Sequence, residues 1–311
     1  MSTVTTLTMN PSIDIFATVD ELREDSKSRC KESSREPGGG GINVARNLHR
    51  LGMDVEAIFP CGGGNGKVLE AMLKEEGVPC RSIQVSSETR QNLAINERAS
   101  GKMFHIVLPG PQLQESEWQE CLATVSNLEP KPEYMVLSGS LPTGVPEDFH
   151  GRVAKMAAKQ GIKVILDTSG NALTAPLKVG VYMAKLNLKE FYQLGYTYEI
   201  DHKKQLAAMA KMVEDGFAHI LILTLGDQGA LLADRNGKLL HIAPPYTKVV
   251  SHVGAGDSFV SLMLYQLCSG KTVEEAFRFG VAAAAAAIQT TGNQIQDMHS
   301  VEKIYRELGG N

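Results

Sequence analysis

The fold prediction starts from one segment of the chain, HKKQLAAMAKMVEDGFAHILILT at residues 202–224. A helical pattern over residues 202–215 leads into a short apolar run, residues 219–224, which is typical of a strand buried on both faces. Similar apolar runs occur at residues 4–9, 55–59, 134–137, 163–166 and 181–185. Further helical patterns lie at residues 41–51, 66–76, 117–128, 146–160, 256–268, 273–290 and 300–308. This order predicts an α/β fold with a doubly wound, mostly parallel sheet, flanked by helices and joined by right-handed crossovers.

Four short segments depart from this alternation. Residues 13–19 and 27–36 alternate as polar strands, and residues 91–97 turn at Ser100-Gly101 into residues 103–108. Because no helical pattern separates the two segments of either pair, we expect a small antiparallel sheet that projects as a lid, over approximately residues 12–36 and 90–109. A second hairpin, residues 230–233 with 239–242, is predicted from the Asn236-Gly237 turn. No linker divides the chain, so we expect one domain over residues 1–311.

The composition limits the possible classes of function. The 311 residues are 43% apolar and 21% charged, with a formal net charge of −4. Such a chain forms a buried core and has no general affinity for nucleic acid or anionic membranes. Its five cysteines, without a C-x-x-C spacing, are typical of a reducing compartment. The N-terminus lacks a signal-peptide pattern, and the longest apolar stretch, residues 281–288, is too short to cross a bilayer, so we expect a cytoplasmic protein.

Two glycine-rich loops each open a helical pattern. The first, residues 38–41, consists of four consecutive glycines before Ile42-Asn43. Glycines are kept where side chains would obstruct something. The pattern favours a ligand close to bare backbone amides at a helix N-terminus, and a tight turn is the alternative.

The second loop, Val253-Gly254-Ala255-Gly256-Asp257-Ser258, places a carboxylate among small residues. Exposed N–H groups and the helix dipole would attract an anion there. Asp257 is then either a general base that faces a hydroxyl while the amides hold a phosphoryl group, or an ordinary helix cap. The pattern alone does not separate these two roles.

Five ordered motifs resemble those of the ribokinase-like sugar kinases of the PfkB type. They are EPGGGGINVAR at 36–46, TRQNL at 89–93, SGSLP at 138–142, TLGDQG at 224–229 and GAGD at 254–257. The resemblance, which runs nearly from end to end, implies a ribokinase-like fold. It also implies transfer of the γ-phosphoryl group of MgATP to C1 of fructose 6-phosphate. The same chemistry on tagatose 6-phosphate or fructose 1-phosphate is the alternative, and a sugar-phosphate-binding protein without turnover is a more remote one.

For the reacting groups, the resemblance implies that Asp257 is the catalytic base. The amides of Gly254, Ala255 and Gly256 would hold the charge that develops on the γ-phosphoryl group. The residues implied for the sugar hydroxyls are Asp14, Gly38, Gly39 and Asn43. The residues implied for the sugar's phosphate are Lys27, Arg29 and Arg90 on the projecting strands, with Ser140 at the same end. Bidentate phosphate binding is favoured for Arg90, whereas a solvated surface position is the alternative for Arg29.

On the nucleotide side, the family signature Lys-Pro-Asn-x-x-Glu corresponds to Lys185-Leu186-Asn187-Leu188-Lys189-Glu190, with leucine in place of proline. The resemblance implies a phosphate contact for Lys185 and water-mediated positioning of Mg²⁺ by Asn187 and Glu190. The residues that it implies for ATP are Thr224, Gly226, Gly229, Gly280 and Ala284. Tight helix packing is the alternative for the small residues of the helix that contains Gly280 and Ala284.

The resemblance also implies a monovalent ion and a second subunit. In relatives a potassium ion is held by backbone carbonyls that correspond to Ser251, Val253, Ala287 and Gly292. His252 stands where the family usually has threonine. Backbone carbonyls come from any residue, but the larger side chain puts the potassium site in question. Exposed edges of the projecting sheet indicate pairing with another copy, and we expect a homodimer through the lid strands.

Overall fold

The computed structural model describes residues 3–196, 201–245, 247, 249–290 and 297–310. Within them, the strands are β1 (Val4–Leu7), β2 (Ser12–Val19), β3 (Glu32–Gly38), β4 (Val55–Cys61), β5 (Cys80–Gln84), β6 (Arg90–Glu97), β7 (Lys102–Val107), β8 (Tyr134–Ser138), β9 (Lys163–Asp167), β10 (Val181–Asn187), β11 (Ala218–Thr224), β12 (Ala230–Asp234) and β13 (Leu239–Ile242). The helices are α1 (Gly40–Arg50), α2 (Gly63–Glu75), α3 (Glu115–Ser126), α4 (Phe149–Lys159), α5 (Thr174–Val179), α6 (Leu188–Gln193), α7 (His202–Glu214), α8 (Ala255–Cys268), α9 (Val273–Ala287) and α10 (Met298–Glu307).

The main sheet has nine strands in the order β13-β12-β11-β10-β9-β8-β1-β4-β5. Every pairing from β5 to β11 is parallel, and β11, β12 and β13 pair antiparallel. The central strands are apolar and buried on both faces, as strands covered by two helical layers must be. The predicted mostly parallel α/β sheet and its terminal hairpin are therefore confirmed.

Helices cover both faces of the main sheet. Buried residues of α1, α2, α8 and α9 pack on one face, and those of α3, α4, α5, α6 and α7 pack on the other. The strand order runs outward in both directions from β1, since β4 lies on one side of it and β8 on the other. In sheets of this kind, ligands bind outside the carboxyl ends of the strands where the order reverses. The strand order therefore indicates the carboxyl ends of β1 and β8 as the position for a ligand site.

A second sheet, here called the small sheet, has the order β3-β2-β6-β7. Its outer pairings are antiparallel, as predicted, but its central pairing, β2 with β6, is parallel. The reason lies in the main sheet: β2 follows β1 and β6 follows β5, and β1 and β5 run in the same direction. Both chains therefore leave the same edge and continue side by side.

One predicted strand boundary is wrong. Strand β3 begins at Glu32 and not at residue 27. Its partner β2 ends at Val19, so the pairing stops at Glu32 opposite Thr18, and one further hydrogen bond joins the Lys31 N–H to the carbonyl oxygen of Thr18. Residues 20–31 form an exposed connection instead.

None of the helices in the described part of the chain is long and apolar enough to cross a membrane.

Candidate active site

The candidate site lies at the carboxyl edge of the main sheet. Ser138, Asp167 and Lys185 lie at or near the carboxyl ends of β8, β9 and β10. The first turns of α1 and α8 contact this group. A methyl group on Gly40 would lie 2.2 Å from Ser138 Oγ, and one on Gly256 would lie 3.3 Å from Lys185 Nζ. The fold thus brings polar groups from separate parts of the sequence to one place.

Asp257 lies in the first turn of α8. The cap position of this helix is held by Gly254, whose φ of +78° favours glycine, so Asp257 is not the cap. One carboxylate oxygen, Oδ2, accepts a hydrogen bond from Asn43 Nδ2 of α1 at 2.8 Å. Burial raises the pKa of Asp257 to about 7, and the charge of Asp167 acts in the same direction, against the lowering effects of Asn43 and Lys185. A carboxylate with a pKa near neutrality can act as a general base toward an alcohol.

A buried ion pair lies beside Asp257. Lys185 Nζ is 2.7 Å from Asp167 Oδ1, and both side chains are largely buried. Burial acts to lower the pKa of Lys185, but the carboxylates of Asp167, Glu190 and Asp257 raise it overall, so the ammonium group stays charged. The nearness of Nζ to Gly256 brings this charge to the N-terminal amides of α8. A fixed cation and a helix N-terminus together form an anion hole.

Two residues of this group had no predicted role. Asp167 lies outside every motif named above, and Ser138 lies in SGSLP without an assignment. Each is the last residue of a buried parallel strand, directly after a leucine. A polar residue at that position is the signal that could have found them, because ligands bind at this edge of such sheets.

The glycine run, residues 38–41, is explained by close contacts within the protein. A methyl group on Gly38 would lie 2.4 Å from Cγ of Asp14, and one on Gly40 would lie 3.1 Å from Asp257 Oδ1 as well as against Ser138. Methyl groups on Gly39 and Gly41 would lie 2.7 and 2.4 Å from side-chain atoms of Thr8. The bare backbone therefore makes room for the site's own carboxylates and hydroxyl groups, in addition to any ligand.

Arg46 fixes the segment that precedes the glycines. Its guanidinium group is almost fully buried and donates to both carboxylate oxygens of Glu76, at 2.8 and 2.6 Å. It also donates to the carbonyl oxygen of Pro37 at 3.0 Å. This bidentate pair ties the entry of the glycine loop to the end of α2.

Asp14 from β2 and Asn43 from α1 lie on either side of the glycine loop. Asp14 is buried and accepts hydrogen bonds from Ser12 and Asn92 through Oδ1. Several buried polar atoms nearby have no partner among the described residues, namely Thr8 Oγ1, Asn10 Oδ1, Asn43 Oδ1, Arg90 Nε and Ser258 Oγ. Buried polar atoms are normally hydrogen-bonded, so this set fits a ligand that carries several hydroxyl groups.

Arg90 and Ser140 come together as predicted, through Asn10. Arg90 Nη2 donates to the carbonyl oxygen of Asn10 at 3.1 Å, and Asn10 Nδ2 donates to Ser140 Oγ at 3.0 Å. Burial lowers the pKa of Arg90 from its ordinary value, while Asp14 acts to raise it. The pairing of β2 with β6 aligns Arg90 with Ser12, two residues from Asp14. A cation is therefore available beside Asp14 and the buried polar atoms around it.

Lys27 and Arg29 are not part of this cluster within one chain. Both lie in the exposed 20–31 connection and not on a strand, which corrects their predicted placement. That connection leaves the far end of β2, about 17 Å along the strand from Asp14. Among the described contacts, neither residue touches Asp14 or Arg90.

Asn187 and Glu190 hold each other at the start of α6. The backbone N–H of Glu190 donates to Asn187 Oδ1 at 2.9 Å, and that of Asn187 donates to Glu190 Oε2 at 2.8 Å. Burial raises the pKa of Glu190, against the lowering effects of Asn187 and Lys185. No cluster of three or more metal-ligating side chains occurs in the described residues. These residues fit Mg²⁺ in its usual form beside nucleotides, with water and phosphate oxygens as the main ligands.

The predicted ATP residues divide into two groups. Thr224 and Gly226 lie at the end of β11, where a methyl group on Gly226 would meet open space. By contrast, one on Gly229 would lie 2.0 Å from the carbonyl oxygen of Ile242, and one on Gly280 would lie 3.1 Å from the ring of Phe259. Gly280 therefore packs closely against α8, Ala284 is partly buried, and the adenine contact stays a prediction for both residues.

The predicted potassium residues lie around the end of α9. The backbone N–H of Ser251 donates to the carbonyl oxygen of Ile288, the residue after Ala287, at 3.2 Å. Ser251 Oγ accepts from the N–H of Val253 at 3.1 Å, which forms a tight turn. His252 is exposed, so its bulk does not fill this turn. Gly292 lies outside the described residues.

A carboxylate of near-neutral pKa at a glycine-lined helix N-terminus, beside buried polar atoms without partners among the described residues, is the arrangement expected of a sugar kinase. The model of the pfkB family of carbohydrate kinases matches residues 4–300, and the chain belongs to this family. Among curated proteins, it is 38% identical to the ATP-dependent 6-phosphofructokinase isozyme 2 of Escherichia coli, over 99% of both chains. It is also 38% identical to the protein of that name from Mycobacterium tuberculosis, over 97% of this chain and 88% of the relative.

Solved structures give the same result. The chain superposes on phosphofructokinase-2 from E. coli in complex with substrates and products with a TM-score of 0.93, at 38% identity and 99% coverage of both chains. The potassium complex of that protein matches with a TM-score of 0.92 at 38% identity, over 99% of this chain and 100% of the other. Its tetrameric inhibited form matches with a TM-score of 0.90 at the same identity and coverage.

Proposed function

We propose that this carbohydrate kinase transfers the γ-phosphoryl group of ATP to the C1 hydroxyl of fructose 6-phosphate. The observation that carries the proposal is the position of Asp257, a carboxylate with a pKa of about 7 that is bonded to Asn43 at the N-terminus of α8. The base, the hydroxyl-binding pocket and the anion hole meet there, as phosphoryl transfer to an alcohol requires. The 38% identity to 6-phosphofructokinases over nearly the full length supports this acceptor.

In the proposed step, Asp257 accepts the proton of the C1 hydroxyl, and the C1 oxygen forms a bond to the γ-phosphorus. The bond from that phosphorus to the β,γ-bridging oxygen breaks, and ADP leaves. The amides of Gly254, Ala255 and Gly256 and the ammonium group of Lys185 stabilise the negative charge. Bound Mg²⁺ would supply neutralisation of the phosphate oxygens, and Asn187 and Glu190 would hold it through water.

The cation at Arg90 supports an acceptor that carries its own phosphate. Its Nε is buried without a partner among the described residues, and Ser140 and Asn10 lie beside it. A guanidinium fork binds phosphate strongly, and a kinase of neutral sugars has no use for one here. Tagatose 6-phosphate and fructose 1-phosphate remain alternatives, because both carry a phosphate and most of the same hydroxyl groups. A protein that only binds sugar phosphate needs no carboxylate with a near-neutral pKa.

The test is an ADP-release assay with MgATP and fructose 6-phosphate, tagatose 6-phosphate, fructose 1-phosphate or unphosphorylated fructose. We expect kcat/KM for fructose 6-phosphate to be the highest, and to exceed that for fructose at least about 100-fold because of the Arg90 contact. A higher kcat/KM for another phosphoketose would make that sugar the acceptor. The proposal would be overturned if calorimetry shows binding of fructose 6-phosphate but ADP release is no faster than with ATP alone, because the protein would then only bind the sugar phosphate.

We also propose that two copies associate through the small sheet. On the face opposite Asp14, the pairing of β2, β6 and β7 aligns Ile15, Leu93 and Ile106 in one row. Ala17, Ile95 and Phe104 form the next row, and the outer edge of β7 pairs with no other strand among the described residues. Phe104 and Ile106 are 38% and 44% exposed, and a second copy of the same apolar face would cover them. In such a dimer, Lys27 and Arg29 would reach a sugar phosphate only from the partner's 20–31 connection.

The oligomer test compares the wild-type protein with Ile106→Asp by analytical ultracentrifugation. The wild type is expected at twice the mass of one chain, and the variant at the mass of one chain. Val179→Asp is the matched control, since Val179 is similarly exposed, at 40%, but lies on α5. A wild-type monomer, or a dimer that Ile106→Asp leaves intact, would contradict the proposed interface.

Two further parts of the proposal concern the monovalent cation and the cellular compartment. The carbonyl groups of Ser251, Val253 and Ala287 would bind K⁺, so replacing K⁺ by tetramethylammonium should lower kcat several-fold. Equal values of kcat in the two salts would contradict this. We also place the protein in a reducing compartment, the cytoplasm, because all five cysteines are free.

A further inference from the structure

The TRQNL motif, residues 89–93, contributes more to the site than Arg90. Side chains alternate along a strand, so Thr89, Gln91 and Leu93 point to one side of the motif and Arg90 and Asn92 to the other. Thr89 and Gln91 face α2: Thr89 Oγ1 accepts from the backbone N–H of Gly62 at 3.1 Å, and Gln91 Nε2 donates to Asn65 Oδ1 at 3.1 Å. These two residues anchor the start of β6.

Asn92, on the face of Arg90, reaches Asp14. Its Nδ2 donates to Asp14 Oδ1 at 2.9 Å and to Ser12 Oγ at 3.0 Å, while Ser12 Oγ donates to the same Asp14 oxygen at 2.7 Å. All three residues are buried, and the parallel register places Asn92 directly opposite Asp14. Asn92 Oδ1 has no partner among the described residues, so the described hydrogen bonds of this side chain are the two that Nδ2 donates to Asp14 and Ser12.

The contact fixes the rotation of the Asp14 carboxylate. The terminal torsion of an aspartate is broad and is otherwise weakly restrained. Two donors at Oδ1 select one rotation, and the bare Cα of Gly38 leaves just enough space for the group on the other side. A carboxylate that binds two sugar hydroxyl groups must be held in one plane before the sugar arrives.

We propose that Asn92 is a positioning residue: it orients Asp14 for the hydroxyl groups of the sugar phosphate and thereby sets the affinity for the acceptor. The inference rests on the proposed function, since it takes Asp14 as a sugar-binding group. Asn92 acts on the acceptor and not on the nucleotide, because its described contacts end at Ser12 and Asp14.

The test is steady-state kinetics of Asn92→Ala and Asn92→Asp, with thermal melting of each variant. Loss of a hydrogen bond to a charged group predicts a KM for fructose 6-phosphate that is about 10- to 100-fold higher in Asn92→Ala, with kcat and the KM for ATP within about twofold. Asn92→Asp keeps the shape but replaces the donor by a second carboxylate, so its KM should rise further. Asn96→Ala is the matched control on the same face of β6, and it should leave every constant unchanged.

A double-mutant cycle separates positioning from a structural role. In an Asp14→Ala background, Asn92→Ala should change the KM for fructose 6-phosphate by less than about twofold, because the group that it orients is absent. Full additivity of the two effects, an equal rise in the KM for ATP, or an unchanged KM in folded Asn92→Asp would each overturn the proposal. Failure of the proposed function would give a different result, namely a higher wild-type kcat/KM for another phosphoketose. The double-mutant cycle would then be run with that sugar.

Discussion

Replacing Asp257 by asparagine removes the proposed base while keeping the size of the side chain. Asn43 Nδ2, now 2.8 Å from the carboxylate, can donate equally well to the amide oxygen of asparagine. The geometry of the site should therefore persist, and the loss should fall on proton transfer. General-base catalysis by one group contributes about 10²- to 10⁴-fold, so we expect kcat to fall by about 10³-fold or more, with both KM values within about threefold.

The same substitution should make the protein more stable. The pKa of Asp257 is raised from 3.8 to about 7, so the folded state disfavours the charged form. The protonated carboxyl favours folding fully below pH 3.8, and this contribution is lost as the pH rises through about 7. That difference corresponds to at most about 4 kcal/mol, and to less because the group keeps some contact with solvent. The Asp257→Asn variant would avoid this cost at pH 8 and have no advantage at pH 4.

Two assays test this pair of effects. Coupled ADP release gives kcat and KM, and thermal melts at pH 8, 6 and 4 give the stability. Asp148→Asn is the matched control, because Asp148 is an exposed carboxylate whose ion-pair partner among the described residues is Arg152 at the surface. Turnover of Asp257→Asn within tenfold of the wild type would refute the assignment of the base. A variant that is less stable at pH 8 would refute the burial argument.

Two further substitutions test the anion hole and the close packing around it. Lys185→Met removes the cation beside Gly256, so kcat should fall at least about 100-fold. It also leaves Asp167 unpaired, which should lower the melting temperature. Adding Asp167→Asn should restore the melting temperature but not turnover. Lys163→Met, at an exposed pair, is its control and should change kcat less than about twofold. Gly40→Ala places a methyl group against Ser138 and Asp257, so kcat should fall at least about tenfold. Gly64→Ala, in the equivalent turn of α2, has room for the methyl group and should leave kcat unchanged. Equal effects of the two variants on kcat would contradict the role of close packing at Gly40.

The regular elements were predictable where burial imposes a period. The six central strands and the eight long helices lie within a few residues of their predicted positions, since each buries a continuous face. Strand β5 lacks that signal, because it is an edge strand with one fully buried side chain, Ile83. Helices α5 and α6 have six residues each, which is too short for a helical period to show in the sequence. The parallel pairing of β2 with β6 depends on how the main sheet directs both chains, which no local pattern records.

The site was predictable where its residues are neighbours in sequence. The loop at Gly254–Asp257 and the segment from Lys185 to Glu190 each carry their own pattern and lie at the site as expected. The partners of these groups come from distant elements, so Asp167 and Asn92 had no assigned role before the fold was known. Lys27 and Arg29 show the opposite error, since a charge pattern typical of a strand belongs to an exposed connection.

The pH dependence of kcat/KM for fructose 6-phosphate, between pH 5.5 and 9, tests most directly whether Asp257 is the base. We expect a plateau above pH 8 and a tenfold loss of kcat/KM per pH unit below about 7, the pKa of the Asp257 carboxyl. The substrate phosphates titrate near pH 6, below the pKa expected for Asp257. Their effect is measured separately, as the pH dependence of substrate binding. A value of kcat/KM that stays constant from pH 9 down to 6 would contradict the account.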